Sequence, residues 1–212
     1  MSKIYIFSGL GVDQRVFDKM NFDGFNVEFI EWILPFKKET IQGYAKRISK
    51  KIIEKDAVLV GLSYGGIIAV EVAKTIPVRN VILIASVKTK FELSLLYRIA
   101  GKLRLHKLIP STAYKWNHFL TYWLFGIETK EEKILLRNIL KDTDNNFLRW
   151  AINEIVCWEN IDAPTNYVHI HGTKDRILPS RNCKVNYFIQ NGGHFMTVNK
   201  AKEIEDIIKK EI

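Results

Sequence analysis

Cysteine is scarce: the 212-residue chain holds only Cys157 and Cys183. Their spacing matches no metal-binding or redox motif. Long hydrophobic runs are missing too. No stretch comes near the ~18 apolar residues of a membrane-spanning helix. The apolar start, Ile4-Tyr5-Ile6-Phe7, is too short for an export signal and reads as a first strand. Without such a signal the two cysteines are expected to be reduced thiols that pack in a cytoplasmic protein. Internal repeats, low-complexity tracts and long linkers are absent, so the expectation is one domain. Acidic residues are outnumbered, 23 Asp and Glu against 32 Lys and Arg, a net charge of +9. Such an excess suits nucleic acid, anionic membrane or an acidic partner. No nucleic-acid motif accompanies it, so a solvated basic surface is expected and no nucleic-acid partner.

What is present is enough apolar material for one core and an excursion from it, with 47% of residues hydrophobic. One stretch organises the rest. The apolar run Ala57 to Val60 leads into Gly61-Leu62-Ser63-Tyr64-Gly65, and Ile67 to Lys74 has helical character. Strand, tight turn and helix with a serine on the turn is the context in which G-x-S-x-G acquires meaning. A serine at the tip of such a turn is strained, and side chains beside it would strike strand and helix. Gly61 and Gly65 remove those side chains, and Gly66 adds room.

The surrounding chain alternates. Strands are predicted at Lys3–Phe7, Asn26–Trp32, the elbow strand and Asn80–Ala85, with helices over Gln14–Met20, Thr40–Lys55 and after Ser63. Ile41, Ala45, Ile48 and Ile52 should face inward from a helix whose other face carries Lys46, Arg47, Lys50, Lys51 and Lys55. This β-α-β-α-β-α-β order predicts an α/β fold, a parallel sheet with helices on both sides. Between 88 and 155 the pattern is helical throughout. Phe91, Leu95, Ile99 and Leu103 recur every fourth residue, Ser111 or Thr112 can start a second helix, Thr129-x-x-Glu132 has the form of a capping box, and Asp144 can cap a fourth helix. Strands resume at Asn166–His171 and Val185–Gln190, and Asn199 can cap a last helix over Lys200–Ile212.

A serine hydroxyl is a weak nucleophile and needs a base, a group that orients the base, and donors for an oxyanion. These belong at the carboxyl ends of the strands. Of five histidines, His106 and His118 lie in the helical stretch, and His169 lies within a strand and should be packed. His171 ends that strand and could line a site. His194 follows the last strand in Gly192-Gly193-His194 and is the candidate base. Asp175, just past the strand ending near His171, is the candidate orienting acid. Asp142, Asp144 and Asp162 fall at the wrong ends of their elements. The backbone N–H groups of Tyr64, after the serine, and of Leu10, between Gly9 and Gly11 after the first strand, are the candidate oxyanion donors.

With these motifs in place the chain resembles the α/β-hydrolases. Gly61-Leu62-Ser63-Tyr64-Gly65 matches their nucleophile motif, Gly172-Thr173-Lys174-Asp175 their acid loop and Gly192-Gly193-His194 their histidine loop, in the order Ser, Asp, His. Ser8-Gly9-Leu10-Gly11 takes the place of the family's His-Gly-x-Gly oxyanion loop, with Ser8 where histidine is usual. The usual first two strands are absent. The resemblance implies a three-layer fold with a mostly parallel sheet of about six strands. It implies a core of residues 1–87 and 156–212, with 88–155 as a helical lid. It also implies a serine hydrolase with Ser63, Asp175 and His194 as its triad, and with neither cofactor nor metal.

The lid bears on substrate. Trp116, Trp123, Trp150 and Trp158 fall in or just after it, with Phe119, Tyr122, Phe125 and Phe147. An apolar pocket is expected, which suits a small ester or thioester. Residues 88–110 carry Lys88, Lys90, Arg98, Lys102, Arg104 and Lys107 against Glu92. A solvated face explains this, and docking of an acidic acyl-carrier protein bearing the substrate, or of an anionic membrane surface, is the functional alternative. A carrier-dependent thioesterase or acyltransferase, and a non-catalytic binding module on the same scaffold, are the competing readings.

Overall fold

The computed structural model describes residues 2–108 and 119–212. Its strands are β1 (Ile4–Phe7), β2 (Val27–Ile30), β3 (Val58–Leu62), β4 (Asn80–Ile84), β5 (Tyr167–Gly172) and β6 (Tyr187–Ile189). They form one sheet in the order β2-β1-β3-β4-β5-β6, and every pairing is parallel. Helices α1 (Ile41–Ile48) and α2 (Tyr64–Ala73) connect the first strands. Helices α3 (Leu95–Lys102), α4 (Phe119–Phe125), α5 (Lys130–Asp142) and α6 (Asn145–Val156) lie between β4 and β5, and α7 (Met196–Asn199) and α8 (Ala201–Glu211) close the chain.

Side chains alternate across a strand, so each strand feeds two cores. In β1, Ile4 and Ile6 join Val58, Val60, Phe17, Ile204 and Ile208 on one face, while Tyr5 and Phe7 join Leu59, Tyr44, Ile48 and Ile67 on the other. Each such side chain contributes about 1.5–3 kcal/mol by leaving water. The helices between β4 and β5 are part of both cores: Leu136, Ile139 and Leu140 of α5 enter the first, Phe147 and Ala151 of α6 the second. Their starts follow from side-chain caps. Thr129 and Glu132 form the reciprocal capping box, and Asp144 accepts from the N–H groups of Asn146 and Phe147, both at 2.8 Å.

Several elements are shorter than their apolar patterns. The stretch after Asp13 is one 3-10 turn, Gln14–Phe17, because Asp13 binds both the backbone N–H and the guanidinium of Arg15. Helix α1 ends at Ile48 and tightens into a 3-10 turn to Lys51, yet Ile52 is still buried. Asn199 caps nothing: it ends α7, and Lys200 precedes α8 without a side-chain cap. Leu95, Ile99 and Leu103 are exposed, 65, 42 and 63% respectively. Helix α3 starts only at Leu95 and turns buried Gly101 inward, where Cys157 Sγ lies 3.8 Å from its carbonyl. The expected helix start at Ser111 or Thr112, Trp116 and His118 lie outside the described residues.

Candidate active site

The carboxyl ends of β1, β3, β5 and β6 converge. Strand β3 is central and buried along its length, and it turns sharply at Ser63 into α2. Ser63 has φ 51° and ψ −119°, a conformation costly for a residue with a side chain. The turn is held by Ser63 N–H on the carbonyl of Ile84 at 2.8 Å and by Gly66 N–H on the carbonyl of Ser63 at 2.9 Å. It closes only because its flanks lack side chains. A Cβ on Gly61 would lie 2.5 Å from the carbonyl oxygen of Gly65, and one on Gly65 would strike the carbonyls of Phe7 and Ser8.

Ser63, His194 and Asp175 are brought together. Ser63 Oγ and His194 Nε2 are 2.8 Å apart, and His194 Nδ1 and Asp175 Oδ2 are 2.8 Å apart. Since a carboxylate only accepts, His194 Nδ1 donates, and Nε2 is the nitrogen left to accept from the serine hydroxyl. His194 is 5% exposed and Asp175 also 5%, so little water competes for these bonds. The two loops that carry them are tied. Lys174 N–H donates to the carbonyl of Gly192 at 2.9 Å, and Asn191 N–H to Thr173 Oγ1 at 2.9 Å. Helix α4 closes over both. The Phe125 ring stands edge-on to His194 at 5.7 Å, the Phe125 carbonyl accepts from Phe195 N–H, and Arg176 donates to the Trp123 carbonyl at 2.6 Å.

Asp175 is satisfied on both oxygens. Oδ1 accepts from the N–H groups of Ile177 and Leu178, each at 2.9 Å, and Oδ2 faces His194 and also His171 Nε2 at 3.3 Å. Burial pushes its pKa up, but His194 and His171 outweigh burial and hold the carboxyl well below its usual range. The group is therefore an anion at neutral pH.

The loop after β1 passes beside the elbow. A Cβ on Gly9 would be 3.4 Å from Ser63 Cβ, so Leu10 follows a residue in contact with the elbow. Tyr64 opens α2, and a first-turn N–H has no intrahelical acceptor. The Tyr64 side chain is buried among Trp32, Phe147 and Trp150, and burial raises its phenol well above the ordinary value.

The rival residues have structural partners. Asp142 binds Arg15, Asp144 caps α6, and His106 Nε2 lies 2.9 Å from Asn153 Oδ1. Ser86 has no signal in the sequence, and His171, expected to line the site, contributes in another way. Ser86, fully buried, donates from Oγ to the carbonyl of Ser63 at 2.6 Å. His171 is not a lining residue but fully buried behind Asp175. The His-x-His spacing of 169 and 171 was the available signal, since residues two apart share a strand face. Among the described residues, His169, His171 and Cys183 are the one group whose donor atoms could meet a metal, all within 4.8 Å. Most of that set is committed, because His171 Nδ1 bonds His169 Nε2 at 3.0 Å and His171 Nε2 bonds the Leu178 carbonyl at 2.7 Å.

No protein-family model matches the chain, and no curated protein matches it. Solved structures do. A thermophilic esterase from Thermogutta terrifontis is 15% identical and superposes with a TM-score of 0.73, covering 99% of this chain and 89% of that one. Est816, described as an N-acyl homoserine lactone degrading enzyme, is 15% identical with a TM-score of 0.72, covering 100% and 93%. MenH from S. aureus is 16% identical with a TM-score of 0.71, covering 99% and 92%. The shared architecture is the α/β-hydrolase fold, and it extends over the whole chain.

Proposed function

We propose that this chain of α/β-hydrolase fold is a serine hydrolase that cleaves a carboxylic ester of a small or medium apolar substrate through an acyl-serine intermediate. The observation that carries the reading is the unbroken line of 2.8 Å contacts from Ser63 Oγ through His194 to Asp175, with the serine on a strained turn. Esterases among the fold's solved neighbours agree with it.

In this reading Ser63 Oγ attacks the ester carbonyl carbon as His194 Nε2 takes the hydroxyl proton. Asp175 stabilises the imidazolium that forms and holds the ring in the tautomer that can accept. The N–H groups of Tyr64 and Leu10 receive the oxyanion. The tetrahedral intermediate expels the alcohol, to which His194 returns the proton. Water, deprotonated by the same nitrogen, then releases the acid and restores Ser63. The turn and the packed loops fix this geometry in advance, so little reorganisation is needed during the reaction.

Residues 88–155 act as the lid, and α4 already covers His194 and the acid loop through Phe125 and Trp123. A cleft of about 210 Å³ runs from Gly11 and Val12 to Trp32, Ile33 and Phe147. Its wall of Val12, Trp32, Ile33 and Phe147 suits a short apolar acyl group, while Asp13, Asp142 and Asp144 make the rest of its lining polar. Ser63→Ala should abolish both short-chain aryl ester hydrolysis and labelling by a fluorophosphonate. A wild-type protein with neither activity, or a variant with both, refutes the reading.

A carrier-bound acyl substrate is the second reading, and the exposed apolar residues of α3 beside Arg98 and Lys102 favour it. Its basic face is smaller than the sequence count, because Lys88 is buried against Glu92 and Lys90 pairs with Glu159. Charge reversal at Lys102 and Arg104 should lower activity on a carrier-linked thioester and spare a free ester. Equal activity of wild type and variant on both substrates removes the carrier.

A further inference from the structure

We propose that His171 is a positioning residue of the site: its Nε2–H, shared between the Leu178 carbonyl and Asp175 Oδ2, holds the carboxylate in place and weakens its pull on the His194 proton. The proposal rests on the hydrolase reading of Ser63, His194 and Asp175.

The hydrogen-bond bookkeeping leaves one assignment for that nitrogen. Leu178 O, 2.7 Å from His171 Nε2, can only accept, so Nε2 carries a hydrogen. The same nitrogen is 3.3 Å from Asp175 Oδ2, which also only accepts. The N–H thus bonds the backbone of the acid loop and has the acid itself as its second, longer neighbour. On the other side of the ring, Nδ1 is 3.0 Å from His169 Nε2. With its hydrogen on Nε2, a neutral His171 accepts at Nδ1, so His169 Nε2 supplies the hydrogen between the rings.

His169 anchors this arrangement. It is fully buried, its backbone N–H donates to Asn186 Oδ1 at 2.9 Å, and its carbonyl accepts from Asn186 N–H at 2.9 Å. Burial, aided by His171 and Lys88, pushes its pKa down to about 3, so it stays neutral. A line of side chains thus runs from the sheet interior to the nucleophile: His169, His171, Asp175, His194, Ser63. Both imidazoles of β5 are on one strand face, which the His-x-His spacing dictates.

An N–H whose nitrogen is 3.3 Å from Oδ2 competes with His194 for the same charge. It stabilises the carboxylate in either state of His194 and reduces the attraction felt by the imidazolium. Removing it should strengthen the pairing of Asp175 with the imidazolium, and so move the acid limb of kcat/KM upward. The other titratable and charged groups facing this region are Tyr97 from α3, the Lys88–Glu92 pair after β4, and Cys183 after β5. None of them changes in the comparison below.

Two amide variants separate the roles. In His171→Gln the terminal nitrogen reaches the place of Nε2 and can still donate to Asp175. In His171→Asn it reaches only the place of Nδ1, facing His169. The proposal expects H171N to shift the acid limb of ester hydrolysis upward by about half a pH unit, and H171Q to keep the wild-type limb. A limb that is the same in wild type, H171N and H171Q overturns it, even if both variants are less stable. If a variant does not fold, wild type itself is informative. In protein with ¹⁵N-histidine, phosphonylation of Ser63 places a charged imidazolium on Asp175, and the His171 Nε2–H resonance should shift. An unmoved resonance overturns the proposal. Failure of wild type to label at Ser63 refutes the hydrolase reading instead, so the two failures are distinct.

Discussion

Replacing Asp175 by asparagine strikes the site at the atom pair with the most partners. Its carboxylate receives three hydrogen bonds, from the N–H groups of Ile177 and Leu178 on Oδ1 and from His194 on Oδ2, and His171 Nε2 lies 3.3 Å from Oδ2 as well. An asparagine has one accepting oxygen. If its NH2 takes the place of Oδ1 it faces two backbone N–H groups, and if it takes the place of Oδ2 it faces two imidazoles. The loop's backbone bonds are both at 2.9 Å and cannot be rearranged without refolding the turn, so the NH2 takes the side of Oδ2. It then donates to His194 Nδ1, the ring carries its hydrogen on Nε2, and Nε2 can no longer accept from Ser63. Such a tautomer reversal costs about 10⁴-fold in kcat, or about 5.5 kcal/mol in the barrier. Steady-state hydrolysis of an aryl acetate and the rate of fluorophosphonate labelling both read it. Folding responds separately. The pKa of Asp175 is depressed in the folded state, so its contribution to stability is full above its unfolded value of about 3.9 and fades as pH falls below that. The variant lacks this group, so its stability should fall less steeply than that of wild type in acid. D175N with more than a tenth of wild-type kcat, or with the wild-type acid slope of stability, would refute the assignment.

The remaining predictions concern the scaffold. A Cβ on Gly66 would lie 2.6 Å from Ser86 Cβ, so Gly66→Ala should lower stability by about 2 kcal/mol, read from its denaturation midpoint. Ser86→Gly removes the obstacle, and the double variant should be more stable than the sum of the singles by about 1 kcal/mol or more. Simple additivity would show that the clash relaxes elsewhere. Lys88 and Glu92 are 5% and 7% exposed and paired, so Lys88→Met should cost about 3 kcal/mol by stranding Glu92, while an unchanged melting temperature would contradict the pairing. Glu71, 2% exposed, accepts from Trp158 Nε1 at 2.7 Å and from Lys74. Glu71→Ala should cost about 2 kcal/mol in chemical denaturation, and a cost near zero would show that Trp158 finds another acceptor.

Much of the fold was legible because its strands are short apolar runs ended by glycine, asparagine or proline. Period and punctuation agree at β1, β3, β4 and β5, and their parallel pairing follows from the helices between them. Lengths were less legible. The stretch after Asp13 has an apolar face of Val16, Phe17 and Met20, all buried, but local bonds from Asp13 to Arg15 stop it at a single turn. The fourfold spacing of Leu95, Ile99 and Leu103 marks one helix face without saying what covers it, and the structure leaves that face exposed. Lys88 and Lys90 looked like part of a basic surface because charge counting ignores pairing with Glu92 and Glu159.

The site divides along the same physical line. Ser63, Asp175 and His194 stand out in sequence because each sits in a loop whose small residues are spent on geometry: glycines at 61, 65 and 172 let backbones meet where a side chain would not fit, and those at 192 and 193 sit where a side chain would be tight. Loops of this kind announce themselves locally. What supports them does not. Ser86 is an ordinary serine after a strand until its hydroxyl is seen on the Ser63 carbonyl, and His171 is an ordinary strand residue until Asp175 folds back over it. That return is made by Asp175 accepting from Ile177 and Leu178, which brings the Leu178 carbonyl to His171 as well. A single turn of four residues therefore places both oxygens beside the His171 N–H, and Leu178→Pro, which deletes one backbone donor to Asp175 and keeps the carbonyl, separates them. It should loosen the carboxylate and lower kcat by about tenfold without changing the ester preference. A variant with wild-type kcat would show that the Ile177 N–H and the two imidazoles suffice to hold Asp175.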